Sequence, residues 1–461
     1  MQLWELPVDI FLEDILPSLD LVSLIELSYT SRFFHRLAND EHVWKKLVMT
    51  DFNIPYDAAF RSHGWKTLYS KLNDPIVYTW GENEDGRLGH GESPFFHRGP
   101  MRYRYRTSVA VGVPRELQSL RGKGIIDIMS GGWSFHALDR YGRVWMWGIL
   151  QKDVPLRDSL GAERVHEPAE IELPHDVHIR TLSCGRSHAI ALAKDGSIWH
   201  WCNRWKPQRV VLRTDRPSPV VQVTANWGYS SILTKRGEIF LVPHPPNVAS
   251  EDEDVPVMEI TDPGVGLAAI EIERHGDPDD RFVQLAGMEK YTLALTRKGR
   301  IYKLYTNETE AFAITPATDA VELNHFGSHK TEINERGRKM QRFVSAAFKN
   351  FAVYTADGKV MLGQNDADAN TVPKLMEELD RDICKVSFGD YHMGAVTNKG
   401  TLLTWGRNEA GALGHGEDMQ DVERPIVVEK LRDMFVFAIG FGGWQSAVLA
   451  IPRKDAFAED E

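Results

Sequence analysis

The feature that most constrains the fold of this chain is a motif that recurs beyond residue 75. It consists of a small apolar pair, three residues, a glycine and then a second apolar strand. The clearest copies lead from Ala137-Leu138 to Gly142 and from Ala191-Leu192 to Gly196. Weaker copies place the glycine at Gly237, Gly299, Gly358 and Gly400. A glycine between two strands of alternating hydrophobicity predicts a tight hairpin, because the turn needs a residue at positive φ.

The two ends of the repeated region each carry half a copy. Residues 76–81 supply only the outgoing strand, and residues 442–449 supply only the incoming strand. The mean interval between copies is about 52 residues, which is typical of propeller blades or solenoid turns. A linear solenoid needs polar caps, whereas matching half-copies favour a ring closed by pairing the N- and C-terminal strands. The sequence therefore predicts an all-β, seven-bladed propeller over residues 76–451.

Two glycine-rich segments add a second and more specific pattern. They are Trp80-Gly81-Glu82-Asn83-Glu84-Asp85-Gly86-Arg87-Leu88-Gly89-His90-Gly91 and Trp405-Gly406-Arg407-Asn408-Glu409-Ala410-Gly411-Ala412-Leu413-Gly414-His415-Gly416. Together with the run Cys184-Gly185-Arg186-Ser187-His188, they resemble the repeat of the regulator of chromosome condensation family across residues 76–451. The middle copies depart from this pattern, with Met288 in place of the glycine and Tyr291 and Asn350 in place of the histidine.

The first 48 residues have helical spacing instead. Asp20, Ser31 and Asp40 each precede an apolar stretch and are suitable helix N-caps. Ile25 is expected on the buried stripe of the second helix. A unit this small buries too little apolar surface to be stable on its own. The pattern by itself leaves open whether this helical unit caps the propeller or binds a partner. Helices followed by a β-propeller predict an α+β multidomain protein.

These N-terminal helices resemble an F-box throughout, from Leu6-Pro7 through Leu24 and Ser31 to the run Val43-Trp44-Lys45-Lys46-Leu47. The resemblance implies docking on the Skp adaptor of a cullin-RING (SCF-type) ubiquitin ligase, with Trp44 closing the motif's own core. The expected adaptor contacts are Leu6, Pro7, Ile10, Ile15, Leu16, Leu24 and Leu27. The expected organisation is an F-box over 1–48, a helical linker over 49–75, the propeller, and an acidic tail over 452–461.

The composition restricts the kinds of partner and cofactor that we expect for this chain. The net charge of −11 argues against nucleic-acid binding, which needs a basic surface. No run of about 20 apolar residues is present, so no membrane span is expected. Three scattered cysteines fit neither a disulfide framework nor a zinc site, which favours a cytoplasmic or nuclear protein. The histidines recur at repeat positions, as at His188 and His392, so packing roles are expected and neither a metal nor a cofactor is.

Three features are candidates for binding a target protein. Trp133, Trp227 and Trp444 are expected at equivalent loop positions, and they either line one propeller face or are buried between blades. Arg102, Arg104 and Arg106 belong to a basic stretch over residues 98–123, which is either a solvated loop or a receptor for an acidic or phosphorylated segment. Residues 251–280 are strongly acidic, and we interpret them as a mobile polar insertion.

An F-box joined to a large rigid ring is typical of an adaptor that holds one protein beside another. The preferred hypothesis is a non-catalytic, substrate-recognition subunit of an SCF-type ligase, in which the F-box binds the Skp adaptor and the propeller binds a target for ubiquitination and degradation. The propeller's family implies one alternative, a guanine-nucleotide exchange factor for a small GTPase. A propeller scaffold without ubiquitin transfer is another.

Overall fold

Seven β-sheets follow one another around a ring in the computed structural model, with helices at both chain ends. The structure describes residues 6–52, 63–91, 110–151, 163–215, 217–245, 255–261, 280–308, 314–327, 343–355, 359–380, 382–416 and 420–457. Among these residues, no helix combines the length and apolar character that a membrane crossing requires.

The strands are numbered in chain order. They are β1 (Ile76–Gly81), β2 (Val111–Glu116), β3 (Ile125–Ser130), β4 (Ser134–Asp139), β5 (Val144–Gly148), β6 (Val165–Glu170), β7 (Ile179–Cys184), β8 (Ala189–Ala193), β9 (Ile198–Trp201), β10 (Gln208–Arg213), β11 (Val220–Ala225), β12 (Tyr229–Thr234), β13 (Ile239–Pro243), β14 (Val257–Thr261), β15 (Phe282–Gly287), β16 (Tyr291–Thr296), β17 (Ile301–Glu308), β18 (Ile314–Glu322), β19 (Phe343–Ala347), β20 (Asn350–Tyr354), β21 (Val360–Gln364), β22 (Ile383–Phe388), β23 (His392–Thr397), β24 (Leu402–Gly406), β25 (Val422–Val427), β26 (Met434–Gly442) and β27 (Gln445–Pro452). We number the blades 1 to 7 as β3–β6, β7–β10, β11–β13, β15–β18, β19–β21, β22–β25, and β26 with β27, β1 and β2.

Blade 7 closes the ring. Its strand order is β2-β1-β27-β26, so the two inner strands come from the C-terminal end and the two outer strands from the N-terminal end. β1 and β27 are antiparallel, with Tyr78 opposite Val448. The predicted seven-bladed propeller and its closure by N- and C-terminal strands are confirmed.

The hairpin glycines adopt the backbone conformation that the sequence predicts. Gly142, Gly196, Gly237, Gly299 and Gly400 have φ angles of 88°, 86°, 87°, 83° and 71°. A Cβ on Gly142 would lie 2.8 Å from the Cα of His178 in the next blade. The glycine is therefore needed at this turn for blade packing as well as for its φ angle. Gly358 lies outside the described residues.

One strand does not pair with the blade that precedes it in the sequence. β14 follows blade 3 in the chain but pairs in parallel with β10, the outer strand of blade 2, with Ile260 opposite Leu212. Within the described residues, blade 3 has three strands. The expectation of a mobile polar insertion over 251–280 is therefore wrong for Val257–Thr261, which forms this added strand.

The inner strands define two faces of the ring. Six of them carry a β-bulge near their start, where the pairing register skips Ile126, Arg180, Val221, Val283, Cys384 and Phe437. We call the end at which inner strands begin the entry face and the opposite end the exit face. A six-residue strand is about 20 Å long, so the two faces are separated by about that distance.

The N-terminal helices form a small unit of their own. α1 (Val8–Ile10) continues through a π-helical turn (Phe11–Ile15) and a 3₁₀ turn (Leu16–Ser18), and is followed by α2 (Leu21–Thr30), α3 (Arg32–Ala38) and α4 (Glu41–Asp51). The predicted N-caps form: Asp20, Ser31 and Asp40 accept hydrogen bonds from the backbone N–H groups of Ser23, Phe34 and His42. α4 extends beyond residue 48, where the sequence placed the end of the F-box.

The helical unit packs on the entry face through α5 (Trp65–Leu72), in the segment expected to be a helical linker. Phe52 contacts the bulged Phe437 edge to face at 6.2 Å, and Tyr69 contacts Phe52 at 5.3 Å. Asn73 accepts a hydrogen bond from Arg140 in a blade 1 turn. One buried hydrophobic cluster runs from the N-terminal helices through α5 into blades 7, 1 and 2.

The C-terminus also packs on the entry face. After β27 the chain forms α6 (Arg453–Ala456), in the segment that the sequence assigned to an acidic tail. Arg453 donates hydrogen bonds to the carbonyl oxygens of Arg432, Lys399 and Met434. Residues 453–457 are therefore tied to blades 6 and 7.

Candidate functional site

An exposed apolar stripe runs along α2. Val22, Ile25 and Tyr29 are 65%, 40% and 80% exposed. Their spacing of three and then four residues places them on one side of the helix. The expectation that Ile25 is buried is wrong, because Leu24 alone among the α2 residues is fully enclosed. We call Val22, Ile25 and Tyr29 the α2 stripe.

The expected adaptor contacts divide into three groups. Pro7 and Ile10 are exposed, as is their neighbour Val8, near the start of the helical unit. Leu6, Ile15 and Leu27 are half-buried and pack against the core.

Leu16 and Leu24 are 0% and 1% exposed. They therefore lie in the core of the helical unit and not on its surface. Trp44 is buried as well, and its Nε1–H donates to the carbonyl oxygen of Ala38 at 2.8 Å.

An aromatic and cationic ring surrounds the channel on the exit face. It is built by loops that join the first and second strands of the blades. We call these residues the exit ring: Trp133, Arg186, Trp227, Phe348, Tyr391 and Trp444. The three predicted tryptophans thus lie on one face and are half-buried. The strand registers place Trp227 one loop position earlier than Trp133 and Trp444.

The exit ring is held together by stacking. The guanidinium of Arg186 lies 4.1 Å from the Trp133 ring and 4.3 Å from the Trp227 ring. Trp227 stacks on Phe348 at 4.4 Å, and Tyr391 stacks on Trp444 at 4.8 Å. Phe348 and Tyr391 meet edge to face at 6.4 Å. Aromatic and cation–π contacts of this kind fix the side chains in place without consuming their polar groups.

Backbone hydrogen bonds join the same loops from blade to blade. The N–H groups of Gly132, Arg186 and Glu289 donate to the carbonyl oxygens of Arg186, Trp227 and Phe348, respectively. The Asp390 N–H donates to the carbonyl oxygen of Gly443. Because neighbouring blades are tied at these loops, the exit ring is a preorganised surface.

The charges at the exit ring are mixed. Burial raises the pKa of Asp390 to about 6, against the opposing influence of Arg186, Arg87 and Lys349. Lys349 is exposed over the Phe348 ring at 4.8 Å. Glu289 is a second carboxylate at the ring and acts on Asp390 in the opposite sense to the three cations. The channel below the ring has a volume of about 270 Å³ and is lined by inner-strand residues of all seven blades.

The two glycine-rich segments form loops that are held in place by hydrogen bonds to a threonine of the preceding strand. Thr79 donates a hydrogen bond to the carbonyl oxygen of Leu88 and contacts His90 at 3.0 Å. Thr404 repeats both contacts with Leu413 and with His415, at 2.8 Å and 2.9 Å. The specific sequence pattern is therefore explained by loop structure.

The buried histidines also make packing contacts. His392 bonds to Ser446 at 2.8 Å and His188 to Ser230 at 3.0 Å. Burial lowers the pKa of His392 to about 3. Across the described part of the chain, no group of three or more His, Cys, Asp or Glu side chains is placed to hold a metal ion.

Sequence reasoning identified three of the six ring residues and missed Arg186, Phe348 and Tyr391. Their position in the repeat could have identified them, because all three lie in the loop between the first and second strands of a blade, as the tryptophans do. Arg102, Arg104 and Arg106 lie outside the described residues.

Comparison with known proteins agrees with this architecture. An F-box-like family model matches residues 3–50, and the regulator of chromosome condensation repeat matches residues 76–138 and 399–449. A second model of that repeat matches residues 383–412. The chain therefore carries an N-terminal F-box-like segment and repeats of this type.

Full-length relatives share the propeller at low identity. The ultraviolet-B receptor UVR8 of Arabidopsis thaliana is 24% identical over 82% of this chain and 83% of its own length. The human regulator of chromosome condensation is 23% identical over 87% of this chain and 97% of its own length. The structure of Prp20p from Saccharomyces cerevisiae, described for its binding to Gsp1p and histones, superposes with a TM-score of 0.58 at 17% identity, covering 86% of this chain and 97% of Prp20p. At this identity the likeness establishes the fold.

Proposed function

We propose that this chain, an F-box-like segment joined to a propeller of regulator of chromosome condensation repeats, is the substrate-recognition subunit of an SCF-type ubiquitin ligase. In this proposal the helical unit binds the Skp adaptor, and through it the cullin, while the propeller binds the protein to be ubiquitinated. In this proposal the chain is a non-catalytic subunit.

The α2 stripe is the observation that carries the proposal. Exposed apolar side chains in register on one helix are an unfavourable surface for a solvated helix and mark interaction sites. The stripe lies within the segment that matches the F-box-like model. Pro7, Val8 and Ile10 provide further exposed apolar surface in the same unit. An adaptor that covers both patches would remove this surface from water.

The arrangement of the two surfaces supports the same proposal. The helical unit is fixed to the entry face by Phe52 and α5, whereas the exit ring lies at the other end of the inner strands. A target at the exit ring would leave the α2 stripe free for the adaptor. The ligase would then act by proximity, because holding both proteins raises the effective concentration of the target near the ubiquitin-conjugating enzyme.

The adaptor contact is tested by co-purification of the full chain with the Skp adaptor. Val22→Asp/Ile25→Asp places charges on the exposed stripe and is expected to abolish binding without unfolding the chain. The matched control is Val372→Asp/Leu375→Asp, which changes propeller residues that are 72% and 58% exposed. Equal binding by both variants, or no binding by the unmodified chain beside a working control F-box, would refute the proposal.

A second candidate function follows from the similarity to the human regulator of chromosome condensation, which spans 87% of this chain. The repeat family implies nucleotide exchange on a small GTPase. Faster release of labelled nucleotide from a GTPase by the purified chain would support this candidate. Ubiquitin transfer in a reconstituted ligase reaction separates the preferred proposal from a scaffold that binds the adaptor without transfer.

A further inference from the structure

Arg186 is the unusual member of the exit ring. Its guanidinium carbon lies over the Trp133 ring at 4.1 Å and over the Trp227 ring at 4.3 Å. Within the residues that the structure describes, the Arg186 side chain forms no ion pair with a carboxylate and donates to no acceptor. The residue is half-buried, and its charge acts on the nearby Asp390 carboxyl without a hydrogen bond between the two side chains.

Stacking determines which part of Arg186 remains available. The N–H donors of a guanidinium lie in its plane, whereas stacking uses the two faces of the plane. An arginine held against two rings in this way keeps its in-plane donors available for an acceptor. The fork of donors on a guanidinium matches the two oxygens of a carboxylate, and holding it in place in advance lowers the entropic cost of binding.

Lys349 is a second cation of the exit face that lies over an aromatic ring. Its ammonium lies 4.8 Å from the Phe348 ring and is exposed, and it forms no ion pair within the described part of the chain. Arg407 lies over Tyr391 at 5.2 Å and pairs loosely with the exposed Glu409 at 3.8 Å. Three cations of the exit face are thus supported by aromatic rings.

Two carboxylates oppose these cations. Arg186 and Lys349 act on Asp390 as cations, and Arg87 does so as well although it pairs with Glu82 at 2.7 Å. Within the described residues, the side-chain N–H donors of Arg186 and the exposed ammonium of Lys349 have no acceptor. These unused donors favour an anionic occupant.

We propose that the exit ring binds an acidic segment of a partner protein, with an aspartate or glutamate carboxylate accepting hydrogen bonds from Arg186. Neighbouring acidic residues of the segment face Lys349, and its apolar parts lie on Phe348 and Tyr391. This inference deepens the proposed function, on which it rests, because it assigns the chemical class of the target to the exit face.

The test uses the full chain and a labelled ten-residue peptide of alternating glutamate and glycine, followed by fluorescence anisotropy. We expect Arg186→Gln to weaken binding at least tenfold and Arg186→Lys to weaken it less, because lysine keeps the charge but loses the fork. The matched control is Arg204→Gln, since Arg204 also stacks on a tryptophan, Trp205, but pairs with Glu163 at 3.1 Å. The control variant should bind the peptide as the unmodified chain does. Raising the salt concentration should weaken binding of the unmodified chain.

Three results would overturn the inference. One is equal affinity of the unmodified chain and Arg186→Gln for the acidic peptide. Another is preference for the matched lysine-glycine peptide, with that binding lost in Asp390→Asn, which would assign the ring to a cationic partner. A third is self-association that Arg186→Gln abolishes, which would assign the ring to a second copy of the chain. Co-purification of Arg186→Gln with the Skp adaptor reports separately on the proposed function, because the substitution lies on the opposite face.

Discussion

Gly406 shows how closely neighbouring segments approach at a single residue of the propeller. Its φ angle is 109°, and a Cβ at this position would lie 2.6 Å from the carbonyl oxygen of Tyr391. Gly196 has a φ angle of 86°, but a Cβ there would have no atom within 4 Å. The two glycines therefore share a backbone requirement and differ in their surroundings.

We expect Gly196→Ala to lower the free energy of unfolding by about 1–2 kcal/mol, the cost of a left-handed alanine. Gly406→Ala should cost at least about 1 kcal/mol more, because the backbone beside Tyr391 has to move. Urea denaturation of both variants measures the difference. Equal losses would show that the close contact relaxes without cost.

The buried histidines predict a loss of stability in mild acid. Burial lowers the pKa of His136 and His392 to about 3 and that of His90 to about 4, and it lowers those of His188 and His200 as well. The unfolded chain binds protons at these residues near pH 6.5, whereas the folded chain does not. Above that pH, the free energy of unfolding therefore does not change with pH through these histidines. Below it, the free energy of unfolding falls by up to about 1.4 kcal/mol per pH unit for each histidine.

Asp390 acts in the opposite direction. Its pKa of about 6 is raised in the folded state, so its ionisation cost is relieved as the pH falls from about 6 towards 4. A single carboxyl cannot offset several histidines, and we expect the urea midpoint to decrease steadily between pH 7 and pH 5. His392→Gln, which keeps a polar partner for Ser446, should make this decrease shallower. A midpoint that does not change with pH, or a slope unaffected by the substitution, would contradict the prediction.

At the scale of single elements, β14 shows how a strand can be hidden in the sequence. Met258 and Ile260 pack against the cluster between blades 2 and 3, whereas Val257 and Glu259 point outward. We expect Ile260→Asp to lower the free energy of unfolding by about 1–3 kcal/mol, because it places a charge against apolar side chains.

Val257→Asp is the matched control for β14. Val257 is 55% exposed in the same strand, so its substitution should change the free energy of unfolding by no more than about 0.5 kcal/mol. Urea denaturation of both variants gives the comparison. Similar effects would mean that β14 contributes no packing to blade 2.

The elements also show what the sequence could and could not predict. Turn glycines and helix N-caps depend on local chemistry, and Gly142, Gly196 and Asp20 behave as predicted. β14 was missed because its alternating pattern is short, is surrounded by acidic residues, and depends on pairing with a strand of the preceding blade. α2 is apolar on several sides, so its sequence does not reveal that Leu24 is buried while Ile25 is exposed.

The same limit applies to the exit ring. The sequence places its members in equivalent loops, but the contact of Arg186 with both Trp133 and Trp227 depends on the spacing of neighbouring blades. Ring closure sets that spacing. The repeat pattern therefore identified the aromatic candidates and missed the cation that lies against two of them.

At the scale of the whole molecule, the helical unit and the propeller share one core. Phe52 is 2% exposed and Phe437 is 5% exposed, and their rings meet at the interface. Phe437 occupies the β-bulge of the inner strand of blade 7, a position whose counterparts Val221 and Val283 are 42% and 41% exposed in blades 3 and 4. The helical unit thus covers a part of the entry face that would otherwise expose an aromatic ring.

We therefore expect the F-box helices and the propeller to unfold together in a single transition. Phe52→Ala and Phe437→Ala should each lower the free energy of unfolding by about 3–5 kcal/mol, the usual cost of removing a buried phenylalanine. The double variant should lose about 0.5–1.5 kcal/mol less than the sum of the two, because the ring contact can be removed only once. Two separate transitions, or fully additive losses, would show that the helical unit is only loosely attached. A single coupled transition would mean that the α2 stripe and the exit ring are held at a fixed separation, which is what the proposed function requires for positioning a bound target relative to the adaptor.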